Sequence, residues 1–89
     1  LANTGIKGPV DVSACKVFTV HLVGIAGGGS VTIEASSDDG STWIAQGAAR
    51  TADVAVDFST LWDAIRVNVG TAKAGAKAYI KRMVENEAF

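Results

Sequence analysis

The sequence predicts an all-β fold: a small antiparallel β-sandwich, jelly-roll or immunoglobulin-like, of about seven to eight short strands. Three observations predict it. Apolar and polar residues alternate with a period of two along most of the chain. Gly, Asp, Ser or Asn interrupts that alternation at short intervals, as turns do. No segment carries apolar residues at helical spacing for long enough to form an independent helix. At 89 residues the chain has room for one domain, spanning 1–89, and a domain of this size buries only about 60–65% of its unfolded surface. The core is therefore thin.

The elements follow in order. Residues 1–9 read as a polar N-terminal arm, with Asn3, Thr4, Gly5 and Gly8. Val10 and Val12 open a short first strand, and Pro9 stands at its start, where a missing N–H does least harm. Residues 16–23 alternate most clearly, with Phe18, Val20 and Leu22 on one face and Val17, Thr19, His21 and Val23 on the other. Residues 24–29 supply a flexible, glycine-rich connection. Val31, Ile33 and Ala35 form one face of a strand at 30–36. Asp39-Gly40 then predicts a tight hairpin turn, because a type I′ turn needs positive φ at both central residues. That pairs 30–36 with 42–48. Val54, Val56 and Phe58 are the inward set of a further strand, and Ile65, Val67 and Val69 repeat the pattern. Residues 59–64 have space for a single helical turn capped by Ser59 or Thr60. A turn through 70–75 leads to a last strand at 76–84, and 85–89 form a short C-terminal tail.

Composition narrows the function. Hydrophobic residues make up 48% of the chain and charged residues 19%, which is globular rather than disordered. The net charge of −1 gives no general attraction to nucleic acid or an anionic membrane. No apolar run approaches the ~20 residues that span a bilayer. Cys15 is the one cysteine, so no disulfide forms within the chain.

Candidate chemistry is sparse. His21 is the single histidine and has no cysteine pair, so zinc lacks a ligand set. No Gly-x-Ser-x-Gly elbow offers a nucleophile. Asp38 and Asp39 are adjacent carboxylates in a turn, but their spacing is not that of an EF-hand loop. The run Ala26-Gly27-Gly28-Gly29-Ser30 enters a strand, whereas a phosphate loop opens a helix with Gly-Lys-Ser/Thr. It reads as a mobile loop able to order against a neighbour. Lys73, Lys77 and Lys81 share parity, and Arg82 adds a charge nearby. They form either a solvated edge that resists strand pairing or a contact patch for an acidic protein surface. Trp43 is expected to anchor its hairpin against the core. Trp62 either covers an end of the sandwich or stays exposed, where it suits sugar stacking or an interface. No catalytic residue, cofactor or metal is expected.

The stretch Val31-Thr-Ile-Glu-Ala-Ser-Ser-Asp-Asp-Gly-Ser-Thr-Trp43 resembles small β-sandwich virion proteins of tailed bacteriophages, which carry a strand, then Ser-x-Asp-Gly, then Thr-Trp. Asp11-Val-Ser13 and Ile65-Arg-Val-Asn-Val69 are similar too, so the resemblance covers most of residues 10–84. Discoidin-like jelly rolls share the hairpin. The resemblance implies a non-enzymatic, many-copy virion protein: a capsid decoration or cement protein, a head fibre, or a head–tail component. Its expected partners are the major capsid protein, other virion proteins or neighbouring copies, and it would assemble in the bacterial host cytoplasm. The expected contacts are Ile6 and Lys7 in the arm, Gly27, Gly28 and Gly29 in the loop, Trp62, Lys73, Lys77, Lys81, and Phe89 in the tail. The alternative is a carbohydrate-binding module of a phage fibre or tail, using Trp62, Tyr79 and loop Asp or Asn residues.

Overall fold

Alternation gives each strand one apolar face, and two such faces must cover each other to leave water. The computed structural model describes residues 3–13, 17–59, 62–82 and 86–88. Among these it contains eight strands and no helix: β1 (Gly5–Asp11), β2 (Phe18–Val23), β3 (Ser30–Ser36), β4 (Ile44–Ala45), β5 (Val54–Phe58), β6 (Ala64–Thr71), β7 (Lys77–Arg82) and β8 (Asn86–Ala88). They form two four-stranded sheets, A in the order β1-β6-β3-β4 and B in the order β5-β2-β7-β8. All paired strands are antiparallel.

The pairing is nested. β1 joins β6 in sheet A, β2 joins β5 in sheet B, and β3 joins β4 back in sheet A. A long hairpin wrapped over itself, its successive rungs alternating between sheets, produces that order, which is jelly-roll winding. β7 and β8 extend sheet B on the far side of β2.

The alternating sets meet between the sheets. Phe18, Val20 and Leu22 of β2 are buried with Val31, Ile33 and Ala35 of β3, Ile65, Val67 and Val69 of β6, and Ala78 and Ile80 of β7. Each larger one contributes about 1.5–3 kcal/mol by leaving water. Phe18 and Phe58 lie opposite each other across β2 and β5, with rings stacked at 5.0 Å between centroids.

The Asp-Gly turn forms with its expected geometry. Asp39 and Gly40 have φ of 58° and 91°, and the Ser41 N–H donates to the Asp38 carbonyl at 3.3 Å. The turn sets a register of Ala35 opposite Ile44 and Glu34 opposite Ala45. The paired strand is shorter than 42–48. After Gln46 donates to the Ile33 carbonyl, the chain detours from Gly47 (φ 90°) and rejoins β3 where Arg50 bridges Val31.

Both termini depart from the sequence expectation. Residues 5–9, expected in the polar arm, belong to β1, and Gly5, Ile6 and Lys7 among them pair with β6. Pro9 sits inside that strand, where the register shifts between Lys7 and Val10. β1 is an edge strand, and an irregular edge tolerates the absent donor. The expected last strand at 76–84 is β7 at Lys77–Arg82. Residues 86–88 of the expected tail form β8, opposite Tyr79, Ile80 and Lys81. Backbone pairing was invisible there because so short a strand carries little periodicity. Residues 62–64 are not helical, and Ala64 already belongs to β6. Cys15, Thr60, Glu85 and Phe89 lie outside the described residues.

Candidate functional site

The outer face of sheet B brings the single histidine and the single tyrosine of the chain beside two lysines. Residues of opposite parity to the core set project there: Thr19, His21 and Val23 from β2, Ala55 and Asp57 from β5, and Lys77, Tyr79 and Lys81 from β7. Register places His21 between Ala55 and Tyr79, and Thr19 between Asp57 and Lys81. The Lys81 ammonium lies 5.2 Å from the Tyr79 ring centroid, within cation–π range. The Thr19 hydroxyl donates to Asp57 Oδ1 at 2.7 Å. Lys77 and Lys81 flank Tyr79 about 13 Å apart, at ~3.3 Å per residue. Among the described residues of β2, β5 and β7, the face thus carries two lysines and one carboxylate that is already hydrogen-bonded. It does so on a chain whose overall charge is −1.

This corrects the edge reading of the lysines. Lys77 and Lys81 lie on β7, which has β2 on one side and β8 on the other. Lys81 lies opposite Asn86 and so guards no edge, whereas Lys77 stands beyond the three residues that β8 covers. Lys73 is not on the strand at all; it lies in the β6–β7 connection.

Lys73 joins the glycine loop instead. A Cβ on Gly29 would stand 3.0 Å from Lys73 Cβ, and one on Gly27 would stand 3.8 Å from Lys73 Cε. The 24–29 connection is fastened rather than free. Ile25 is fully buried. The N–H groups of Ile25 and Ala26 donate to Asp53 Oδ1 at 2.8 and 3.3 Å, and Gly29 N–H donates to the Ile25 carbonyl. N–H donation from Gly24, Ile25 and Ala26 holds the Asp53 carboxyl below its ordinary range.

The opposite end of the sandwich holds the Asp-Gly turn. Asp38 Oδ1 accepts from the Ser36 hydroxyl and the Thr42 N–H at 2.8 and 2.7 Å. The buried Ser36 hydroxyl in turn accepts the Gly40 N–H at 2.9 Å. Asp63 Oδ2 accepts from Asp39 N–H. Bonds from the Thr42 hydroxyl and N–H, then from the Ser36 hydroxyl, lower the Asp38 pKa. These oxygens organise the turn. Among the described residues no group of three His, Cys, Asp or Glu side chains could hold a metal ion.

The two tryptophans divide differently from expectation. Trp43, expected in the core, packs on the outer face of sheet A: its Nε1–H donates to the Gly40 carbonyl at 3.1 Å, and the Arg66 guanidinium lies 4.3 Å from its ring centroid. Arg66 also pairs with Glu34 at 2.7 Å. The Asp-Gly turn sets Ala35 opposite Ile44, so Trp43 falls opposite Ser36, out of step with the inward set. Trp62 is half-buried and packs against the core.

The remaining expected contacts are dispersed. Ile6 and Lys7 lie on edge strand β1, with Ile6 45% exposed. Trp62 follows β5 at the Asp-Gly end, while Gly27–Gly29 and Lys73 occupy the other end. Phe89 lies outside the described residues. Sequence reasoning missed His21 and Tyr79 as neighbours, because cross-strand register between β2 and β7 is not written in either segment. It also missed Asp53 as the latch of the glycine loop. No family model matches the chain, and no curated protein or solved structure matches it.

Proposed function

We propose that this chain is a non-catalytic virion structural protein of the tailed-phage type, a capsid decoration or cement protein. It docks through the outer face of sheet B against an acidic surface of the major capsid protein or another virion protein. The observation that supports this most is the row Lys77-Tyr79-Lys81 beside His21 on the outer face of sheet B, over which no other strand of the described residues lies. Two ammonium groups and one amphipathic ring, held by a rigid strand, suit a protein surface rich in carboxylates. The likeness of residues 31–43 to virion sandwiches supports the setting, many copies assembled on a particle in the host cytoplasm. A thin-cored domain gains stability on such a shell by mass action.

The sugar-binding reading finds less support. Trp62 packs against the core while Tyr79 stands on the outer face of sheet B, so the two rings do not make one stacking platform. A catalytic reading finds less support too, since the residues directly opposite His21 on the neighbouring strands are Ala55 and Tyr79.

Co-sedimentation with assembled shells tests the proposal. Lys77→Glu combined with Lys81→Glu is expected to weaken attachment by on the order of tenfold, from loss of two exposed pairs plus repulsion. Raising salt should weaken the unmodified chain in the same direction. Attachment that ignores both changes, or a glycan-array signal lost on Tyr79→Ala, would overturn it.

A further inference from the structure

We infer that β5 is the strand through which two copies of this chain pair, antiparallel, joining their B sheets edge to edge. The four edges of the sandwich are not alike. β1 is blunted by Pro9, by the register shift beside it, and by Lys7, which lies opposite core residue Val67 and so shares its inward parity. β4 has two residues and β8 three. β5 has five, an unbroken register with β2, and no Pro, Gly or Lys. Edges that must stay unpaired normally carry one of these devices, and among the described residues β5 has no strand on its outer side.

Its single charge does not guard it. The Asp57 carboxylate accepts the Thr19 hydroxyl and is thereby held back over its own sheet. Val54 and Val56 have inward parity and pack against the core, yet they remain only half-buried. A strand added beyond β5 would cover that side.

The sequence of β5 is complementary to itself. An antiparallel pair centred on Val56 sets Val54 against Phe58 of the other copy, Val56 against Val56, and Ala55 against Asp57. The inner face becomes apolar throughout, and no carboxylate stands directly opposite another. A one-residue slip would set the inward valines of one copy against the outward Ala55 and Asp57 of the other, which disfavours it. The contact is isologous and closes at two copies. It stands independently of the docking face on β7 and β2.

Sedimentation velocity of the full chain over a wide concentration range is the test. The weight-average mass should rise from one chain toward two. Val56→Lys and Val56→Glu should each hold the protein at one chain, and mixing them should restore the dimer, because the opposed charges now attract. Circular dichroism checks that each variant folds. Should either unfold, hydrogen exchange of the unmodified chain decides instead: amides 54–58 should gain protection as concentration rises. A chain that stays monomeric, a dimer indifferent to Val56, or β5 protection that appears only on shells would overturn the inference.

Discussion

Both ends of this sandwich are organised by one aspartate that collects N–H groups, yet the two work at different ranges. Asp38 binds Ser36 and Thr42, its near neighbours in sequence. Asp53 binds Ile25 and Ala26, which come from the connection between two other strands. At the first end the bonds of Asp38 can form as soon as the hairpin does, and Asp63 of the later chain then adds its bond from the Asp39 N–H. The second exists only once β2, β3 and β5 have been brought together. A glycine-rich loop is therefore no guide to mobility when a distant carboxylate and a buried side chain fasten it.

Breaking the long-range end should cost most. Ile25→Ala removes a fully buried side chain from a loop, and a loss of about 2–5 kcal/mol is expected from urea denaturation. A loss below ~1 kcal/mol would mean that the loop is not plugged into the core.

The local end should break more cheaply. Ser36→Ala deletes a buried hydroxyl that links Asp38 to the Gly40 N–H. About 1–3 kcal/mol should be lost, with the change in amide exchange confined to residues near the turn. If exchange also accelerates at 24–26, the two ends are coupled and the contrast between them weakens.

The smallest effect is the acid limb of stability, and it sharpens the comparison. Asp38 and Asp53 have folded pKa values below their ordinary values. Each thus contributes stability that is fully present above the unfolded carboxyl pKa, about 3.9. That contribution is lost as pH falls through the lower folded pKa. Asp53→Asn should flatten the acid limb and speed exchange at the 24–26 amides. Asp38→Asn should flatten it while leaving those amides unchanged. Urea midpoints and exchange rates compared between neutral and about pH 2 separate the two cases. An acid limb unaltered by both substitutions would contradict the assigned bonds.

The tryptophans show the same division between near and far information. Trp43 was expected in the core because large aromatic side chains usually are. The register across the turn, Ala35 opposite Ile44, places it outside, over Arg66, where Glu34 completes the pair. For Trp62 the sequence left core and surface open, since it lies in a connection without a period to count. Packing against the buried core decided the matter.

By itself, the sequence determined the all-β class, most of the strands, their inward faces and the Asp-Gly turn. Each of these depends on alternation or on φ preferences within a few residues. Only the tertiary structure decided the jelly-roll winding, the joining of residues 5–9 and 86–88 to sheet edges, the latch of Asp53 on a remote loop, and the meeting of His21 with Tyr79. Those features are choices of partner between distant segments. Main-chain hydrogen bonds are the same for every residue but proline, so side-chain identity along one strand leaves its neighbour unspecified until the two sheets pack.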